Sequence, residues 1–217
     1  MGTRRGIVYI AYGEKAVNLV ENAIVILRQY NQTLPVAVIS DVDVKGANQM
    51  IKHEDVDLGA RHIKTSVYFH TPFEQTLYMD ADTELKCDPE PYYVLLDSVD
   101  LVMGLDYFKE FRFNTWGAIS RDEIKTTIEE TDGGRHFYYN TGVMLFNQCN
   151  EVEQLMLRWH EEWLRWGKQD QPAMFRAMHH CPVRMAPMYE PFNTHQEAIA
   201  DFVYHKHRTA SRMGAPK

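Results

Sequence analysis

The sequence predicts a single α/β domain with a mostly parallel central sheet flanked by helices. Three observations support this fold class. Residues 7–40 read as strand, helix and strand, which is the pattern of a parallel crossover unit. Apolar runs and amphipathic segments go on alternating along the chain without a repeat or a linker. The length of 217 residues, with 45% apolar and 24% charged residues, is ordinary for one packed domain.

In the N-terminal half, continuous apolar runs predict buried strands over residues 7–11, 36–40 and 76–79. Apolar residues at helical spacing predict a helix over residues 17–29, between the first two strands. A short helix is expected over residues 91–96. The first two strands and the helix between them therefore start a parallel sheet, in which the carboxyl ends of the strands lie at the same edge.

The C-terminal half continues the alternation of strands and helices. Its predicted elements, in order, are a strand over 99–104, a strand over 138–146, an amphipathic helix over 152–166, a helix over 171–179 and a short strand over 202–205. Asp170 is placed as the N-cap of the last helix, because aspartate is a favoured capping residue. The domain is expected to span residues 1–208, followed by a flexible polar tail over 209–217.

Charge and cysteine content exclude several classes of protein. Lys and Arg total 23 and Asp and Glu total 30, and the net charge of −7 argues against extended nucleic-acid binding. No stretch approaches the roughly 20 apolar residues of a membrane span. The three cysteines, Cys87, Cys149 and Cys181, are widely spaced and indicate free thiols in a reducing compartment. We therefore expect a cytoplasmic protein.

The sharpest local feature is a pair of carboxylates, Asp80 and Asp82, at the end of an apolar strand. This spacing puts both side chains on one face of a continuing strand, and a turn can also bring them together. Two adjacent anions repel each other unless a cation lies between them, and carboxylate oxygens suit Mg²⁺ or Mn²⁺. Ligands of open α/β folds bind at this edge of the sheet. The pattern predicts a divalent metal site, and a solvated turn is the alternative.

Four segments resemble motifs of the GT-A glycosyltransferases, especially the family 8 enzymes similar to glycogenin and to galactosyltransferases. They occur in the family's order, and they are TLYMDADT over 76–83, YNTGVMLFN over 139–147, KQDQPA over 168–173 and YHKHR over 204–208. The N-terminal strand, helix and strand resemble the family's nucleotide-binding start. The resemblance implies a single GT-A, Rossmann-like domain that binds a nucleotide sugar.

The resemblance implies a metal site made by Asp80, Asp82 and His205, holding Mn²⁺ or Mg²⁺. Asp82 would be the direct ligand, while Asp80 would also reach the ribose. His207 is the alternative to His205, because residues two apart in a strand share a face. The family pattern has a glycine shortly after this histidine, whereas this chain has Arg208 at that point.

The resemblance also assigns residues to the donor nucleotide and its sugar. Those implied at the base, ribose and diphosphate are Ala11, Tyr12, Gly13, Asp41, Lys64, Ala81, Lys206 and Arg208. Those implied at the sugar are Asp106, Asn140, Thr141, Asp170 and Gln171. Lys206 and Arg208 would neutralise the diphosphate, and a solvated basic segment is the alternative. Asp170 and Gln171 would be the catalytic pair, with Asp170 as a general base or as a group that holds a sugar hydroxyl.

The implied activity is metal-dependent transfer of a sugar from a nucleotide diphosphate sugar, with UDP as the expected nucleotide, to an acceptor hydroxyl. The acceptor would be a carbohydrate, a small molecule or a protein. A sugar-1-phosphate nucleotidyltransferase is one alternative, but the glycine-rich, arginine-containing loop of those enzymes does not follow the first strand here. A non-catalytic module that binds sugar nucleotides is the other. Retention or inversion of the sugar's configuration stays open.

Overall fold

A seven-stranded sheet forms the centre of the computed structural model, which describes residues 4–53, 59–110 and 119–206. Its strands in spatial order are β3 (Gln49–Ile51), β2 (Val36–Ile39), β1 (Arg5–Ile10), β4 (Gln75–Met79), β7 (Phe137–Asn147), β6 (Leu101–Glu110) and β8 (Met185–Met188). Among these described strands, only β7 runs against the others. The predicted mostly parallel sheet is therefore confirmed.

Helices cover both faces of this sheet. They are α1 (Glu14–Tyr30), α2 (Ala60–Thr65), α3 (Arg121–Glu130), α4 (Asn150–Trp166) and α5 (Asp170–His180), together with a 3₁₀ helix over Glu90–Asp97. The periodic apolar residues of α1 and α4 are the buried ones, which is why their sequences predicted these helices.

The core lies in two layers, one on each side of the sheet. Alternate residues of β1 enter different layers: Ile7 and Tyr9 pack with α1 and the 3₁₀ helix, while Val8 and Ile10 pack with α2, α4 and α5. Because both faces are covered, the strand is a continuous apolar run in the sequence and does not alternate with polar residues. The same double burial applies to β2, all of whose residues are buried.

A second, three-stranded sheet lies beside the carboxyl end of β4. Its strands are β5 (Thr83–Leu85), β10 (Val203–His205) and β9 (Asn193–Thr194), with β10 in the middle. β10 pairs antiparallel with β5, in a register that sets His205 opposite Thr83. The late strand was predicted and β5 was not, so this pairing is a feature that the sequence analysis did not anticipate.

Two further differences from the predictions concern element ends and short elements. Asp170 is not the N-cap of α5: Gln169 precedes the helix, Asp170 is its first residue, and no side chain caps the end. The strands β3, β5, β8 and β9 and the helix α2 were missed, since short segments carry too few residues to show a period. The helix α3 was also missed, because only Ile124 and Ile128 of its ten residues are apolar. The predicted tail over 209–217 lies outside the described residues.

Two composition-based expectations can be compared with the described part of the chain. Cys87, Cys149 and Cys181 are all free, as predicted. Within the described ranges, no helix combines the length and the apolarity required to cross a lipid bilayer.

Candidate active site

A cleft of about 800 Å³ opens at the carboxyl ends of β1, β4 and β6. Ten of the residues predicted from the sequence line it, and these are Tyr12, Lys64, Asp80, Ala81, Asp82, Asp106, Asn140, Asp170, Gln171 and His205. They come from segments scattered over nearly the whole chain. The cleft therefore brings together the carboxylate pair, the late histidine and the residues expected at the sugar.

Asp80, Asp82 and His205 form one cluster, in which a ligand atom from each lies within 4.8 Å of the others. His205 Nε2 is 3.2 Å from Asp82 Oδ1 and 4.0 Å from Asp80 Oδ2. The pairing of β10 with β5 holds this arrangement, and the Lys206 N–H donates to the Asp82 carbonyl at 2.9 Å. Two carboxylates and an imidazole are a donor set that fits Mn²⁺ or Mg²⁺.

Gly142 packs directly against this cluster and was not among the site residues predicted from the sequence. A Cβ at this position would lie 2.5 Å from His205 Cε1 and 2.9 Å from Asp80 Oδ2. The register between β6 and β7 shifts here, from Met103 opposite Met144 to Gly104 opposite Asn140, so β7 bulges beside the cleft. The absence of a side chain leaves the space in which the three ligand atoms meet.

Lys64 connects the carboxylate cluster to Asp170. Its ammonium lies 3.0 Å from both carboxylate oxygens of Asp80 and 2.7 Å from Asp170 Oδ2. The Tyr78 hydroxyl donates to Asp80 Oδ1 at 2.6 Å, and the Thr141 hydroxyl donates to Asp170 Oδ2 at 2.6 Å. Lys64 thus stands between the two carboxylates, whereas the resemblance had implied a contact with the base.

Burial and pairing set the charges of this group. Burial alone would lower the pKa of Lys64, but the carboxylates of Asp170 and Asp80 raise it above its usual value. Burial alone would raise the pKa of Asp170, but Lys64, Thr141 and Arg61 together lower it to about 2. Burial and the adjacent Asp80 raise the pKa of Tyr78 well above its usual value, so the phenol remains a donor. Lys64 and Asp170 are therefore both ionised near neutral pH.

Further residues expected at the sugar make hydrogen bonds within the cleft. The Gln171 side-chain amide donates to Asp106 Oδ2 and to the Tyr139 carbonyl, both at 3.2 Å. Asn140 Oδ1 accepts from the Gly142 N–H at 2.8 Å, which holds the β7 bulge in place. These residues present amide and carboxylate groups to the cleft, which are suited to hydrogen-bonding hydroxyls.

Some predicted residues are not in the lining of the cleft. Thr141 is buried behind Asp170, and Ala11 is buried at the end of β1. Asp41 is exposed. The pKa of Tyr12 is raised mainly by the burial of Tyr12, and the charge of Asp41 raises it further. The Lys206 ammonium pairs with the Glu84 carboxylate. The remaining ones are Gly13, which precedes α1 with a φ of 80°, and Arg208, which like the alternative ligand His207 lies outside the described residues.

The cleft also contains residues that the sequence analysis missed. Arg61 Nε lies 3.5 Å from Asp170 Oδ1, and His195 Nδ1 is 2.7 Å from the His205 carbonyl. Arg61 and Lys64 are three residues apart, a spacing that puts both on one face of a helix, but α2 was not predicted. Nothing in the sequence near His195 signals its position. Tyr138 and Lys168 also line the cleft.

A scan against protein-family models finds no match, and no curated protein matches this sequence. Solved structures do match the fold. The galactosyltransferase LgtC, in complex with donor and acceptor sugar analogs, aligns with a TM-score of 0.59 and 18% identity over 87% of this chain and 74% of its own. Mouse xyloside xylosyltransferase 1 aligns with a TM-score of 0.59 and 11% identity, over 93% and 97% of the two chains. The bifunctional glycosyltransferase WbbM aligns with a TM-score of 0.57 and 14% identity, over 93% of this chain and 42% of its own.

These similarities cover 87–93% of this chain. At such low identities they establish architecture and leave the chemistry to the residues of the site. The fold of this chain is that of the GT-A glycosyltransferases.

Proposed function

We propose that this protein is a glycosyltransferase that moves a sugar from a UDP-sugar to an acceptor hydroxyl, with Mn²⁺ or Mg²⁺ as cofactor. The observation that carries the proposal is the cluster of Asp80, Asp82 and His205 in a cleft that also contains Lys64 and Asp170. The fold supports the same activity, since its solved counterparts include a galactosyltransferase with donor and acceptor analogs and a xylosyltransferase.

The cluster would hold the metal ion through Asp82, His205 and Asp80, with the donor diphosphate completing the coordination. A bound Mn²⁺ or Mg²⁺ would neutralise the negative charge that develops on the departing diphosphate. Tyr78 and Lys64 orient the Asp80 carboxylate by hydrogen bonds to its two oxygens. Gly142 leaves the room that the ion requires.

In the transfer, the bond between the anomeric carbon and the diphosphate oxygen breaks and the diphosphate departs with the electron pair. The acceptor oxygen bonds to that carbon, and its proton passes to the departing diphosphate, directly or through water. The buried, ionised Asp170 would shield the positive charge that develops on the sugar and would accept a hydrogen bond from a sugar hydroxyl. A carboxyl with a pKa of about 2 is a weak base, so we favour this role over proton abstraction. Asp106, Asn140 and Gln171 would bind further hydroxyls.

Titration calorimetry with UDP, with and without Mn²⁺, tests the metal site. The wild-type protein should bind UDP at least tenfold more tightly with Mn²⁺, and Asp82→Asn should lose this difference, because a neutral amide holds a hard cation weakly. Asp97→Asn removes an exposed carboxylate outside the cleft and serves as the matched control. A Mn²⁺-dependent affinity that survives in Asp82→Asn would contradict the assignment of this metal site.

A second assay separates the proposed activity from its alternatives. The protein is incubated with Mn²⁺ and a panel of nucleotide sugars, and released UDP is measured without pyrophosphate. A transferase releases UDP slowly by donor hydrolysis and faster when a suitable acceptor is added. Consumption of pyrophosphate would indicate a nucleotidyltransferase, and binding without any turnover would indicate a non-catalytic module.

A further inference from the structure

Outside the cleft, two histidines and an aspartate converge at the ends of α3 and α5. We call this set, Asp132, His136 and His179, the surface histidine cluster. Asp132 and His136 lie in the turn between α3 and β7, and His179 is the penultimate residue of α5. Asp132 has a φ of 48°, and Gly133 and Gly134 follow with φ of 79° and 67°, so the chain reverses tightly within the turn. This reversal sets His136 beside Asp132 and opposite His179.

The three side chains are already close enough to share one ion. A ligand atom from each lies within 4.8 Å of the others, His136 Nε2 is 3.9 Å from Asp132 Oδ2, and the rings of His136 and His179 are 5.3 Å apart. The side chains of Asp132 and His136 are 82% and 54% exposed, so an ion reaches them from solvent. Small rotations of exposed side chains would bring the donor atoms to coordination distance.

In a neighbouring group, Glu130, Glu162 and His180, the ligand atoms lie equally close together, but the carboxylates are already paired with a cation. Arg165 Nη1 lies 3.0 Å from both Glu130 and Glu162, so a guanidinium already neutralises these carboxylates. No such guanidinium or ammonium contact is found at the surface histidine cluster within the described residues. The surface histidine cluster is therefore the better site for a metal ion.

We propose that the surface histidine cluster binds a divalent transition-metal ion of the Zn²⁺ type, at a site separate from the cleft. Two imidazoles and one carboxylate are a common three-ligand set for Zn²⁺ and leave a fourth position for water. The cluster in the cleft has two carboxylates and one imidazole and fits harder ions better. None of the three residues lines the cleft, so the proposal does not depend on the proposed function.

The metal alone, as Zn²⁺, is the probe. Competition with a chromogenic chelator and titration calorimetry are carried out on the full chain in the Asp82→Asn background, which removes the ion site of the cleft from the measurement. We expect one Zn²⁺ per chain in this background and at least tenfold weaker binding after His179→Gln or His136→Gln is added. His180→Gln, which changes the adjacent histidine, should leave the affinity within about twofold.

Thermal unfolding gives a second reading of the same variants. Zn²⁺ should raise the melting temperature of the Asp82→Asn protein, since an ion that binds only the folded state stabilises it, and the increase should vanish in His179→Gln. Equal Zn²⁺ affinity with and without His179→Gln would overturn the proposal. So would a loss of binding that follows His180→Gln, because it would place the ion at the neighbouring group. Circular dichroism checks that each variant is folded.

Discussion

At the scale of single residues, Lys64 forms ion pairs with two carboxylates of the cleft. Its ammonium contacts Asp80 and Asp170; Lys64 and Asp170 are buried, and Asp80 is partly exposed. Removing one carboxylate therefore changes the environment of the other through their shared cation. The effects of substitutions in this group should not add, since residues in one ion-pair network are energetically coupled.

Asp170→Asn should leave the fold and Mn²⁺-dependent UDP binding intact and lower sugar transfer about 10²-fold or more, the scale for removal of a preorganised charge. The amide keeps the shape of the side chain but removes the anion that faces the developing positive charge. The measurement is turnover with a donor and acceptor found in the panel assay, with Asp97→Asn as control. Near-normal turnover would mean that Asp170 acts only in folding, and Asp106 would then be the next candidate.

Gly142→Ala should abolish most of the Mn²⁺-dependent gain in UDP affinity, because the new methyl group would occupy the space between His205 and Asp80. Gly104→Ala is the matched control, because its Cβ would meet a milder contact: the nearest heavy atom, Asn193 Cβ, would lie 3.2 Å away, compared with 2.5 Å at Gly142. Calorimetry with UDP, with and without Mn²⁺, measures both variants. If both retain the full gain, the ion does not lie against Gly142.

At the scale of secondary-structure elements, α5 carries Asp170 and Gln171 into the cleft, and a buried arginine holds this helix in place. Arg176 is fully buried, and its guanidinium contacts Glu162 of α4 at 2.8 Å and Glu123 of α3 at 3.2 Å. It also donates to Thr127 Oγ1 at 2.8 Å. Three helices thus meet at one cation, and the position of α5 relative to the sheet depends on it.

Arg176→Met should lower the free energy of unfolding by about 3–5 kcal/mol, the usual cost of leaving a buried charge without its partner. Glu123 is then buried without a cation, and its pKa, already raised by burial, should rise further. Urea denaturation measures the loss. Arg4→Met breaks an exposed pair with Glu74 and should cost less than about 1 kcal/mol. Equal losses in the two variants would show that the buried network adds no stability.

At the scale of the whole molecule, two histidines packed near α2, His70 and His160, couple stability to pH. The rings of His62 and His160 are 4.8 Å apart, and those of His53 and His70 are 4.6 Å apart. Burial, followed by the neighbouring histidines, lowers the pKa of His70, and burial with His62 lowers that of His160. The folded protein therefore keeps the rings of His70 and His160 neutral at a pH where the unfolded chain binds protons.

The free energy of unfolding should fall as the pH is lowered from 7 to 5. A histidine with a lowered pKa in the folded state contributes stability above its unfolded pKa, about 6.5, and this contribution is lost as the pH falls below that value. Urea denaturation across this range measures the slope. His160→Gln should flatten the slope, because it removes a ring that the folded protein keeps neutral. A slope that is unchanged in His160→Gln would exclude this source.

Much of the architecture could be predicted from the sequence, because burial on two faces leaves a direct trace in the residues. The apolar runs of β1, β2 and β4 and the periodic residues of α1 and α4 are such traces. The position of the carboxylate pair at the end of β4 could be predicted for a related reason, since charged residues that follow a buried apolar run mark the edge of the sheet. Local pattern was sufficient for these features.

Only the tertiary structure decided how the cleft is assembled. His205 reaches Asp82 through the pairing of β10 with β5, Lys64 lies between Asp80 and Asp170, and Gly142 leaves the space among them. Each of these relations joins residues that are distant in the chain, and the short elements that carry them show no periodicity. Residue type and spacing in the sequence therefore determined which groups are able to bind a metal ion or a sugar. Long-range packing determined which of these groups lie in contact, since contact between distant segments depends on how the whole chain buries its apolar surface.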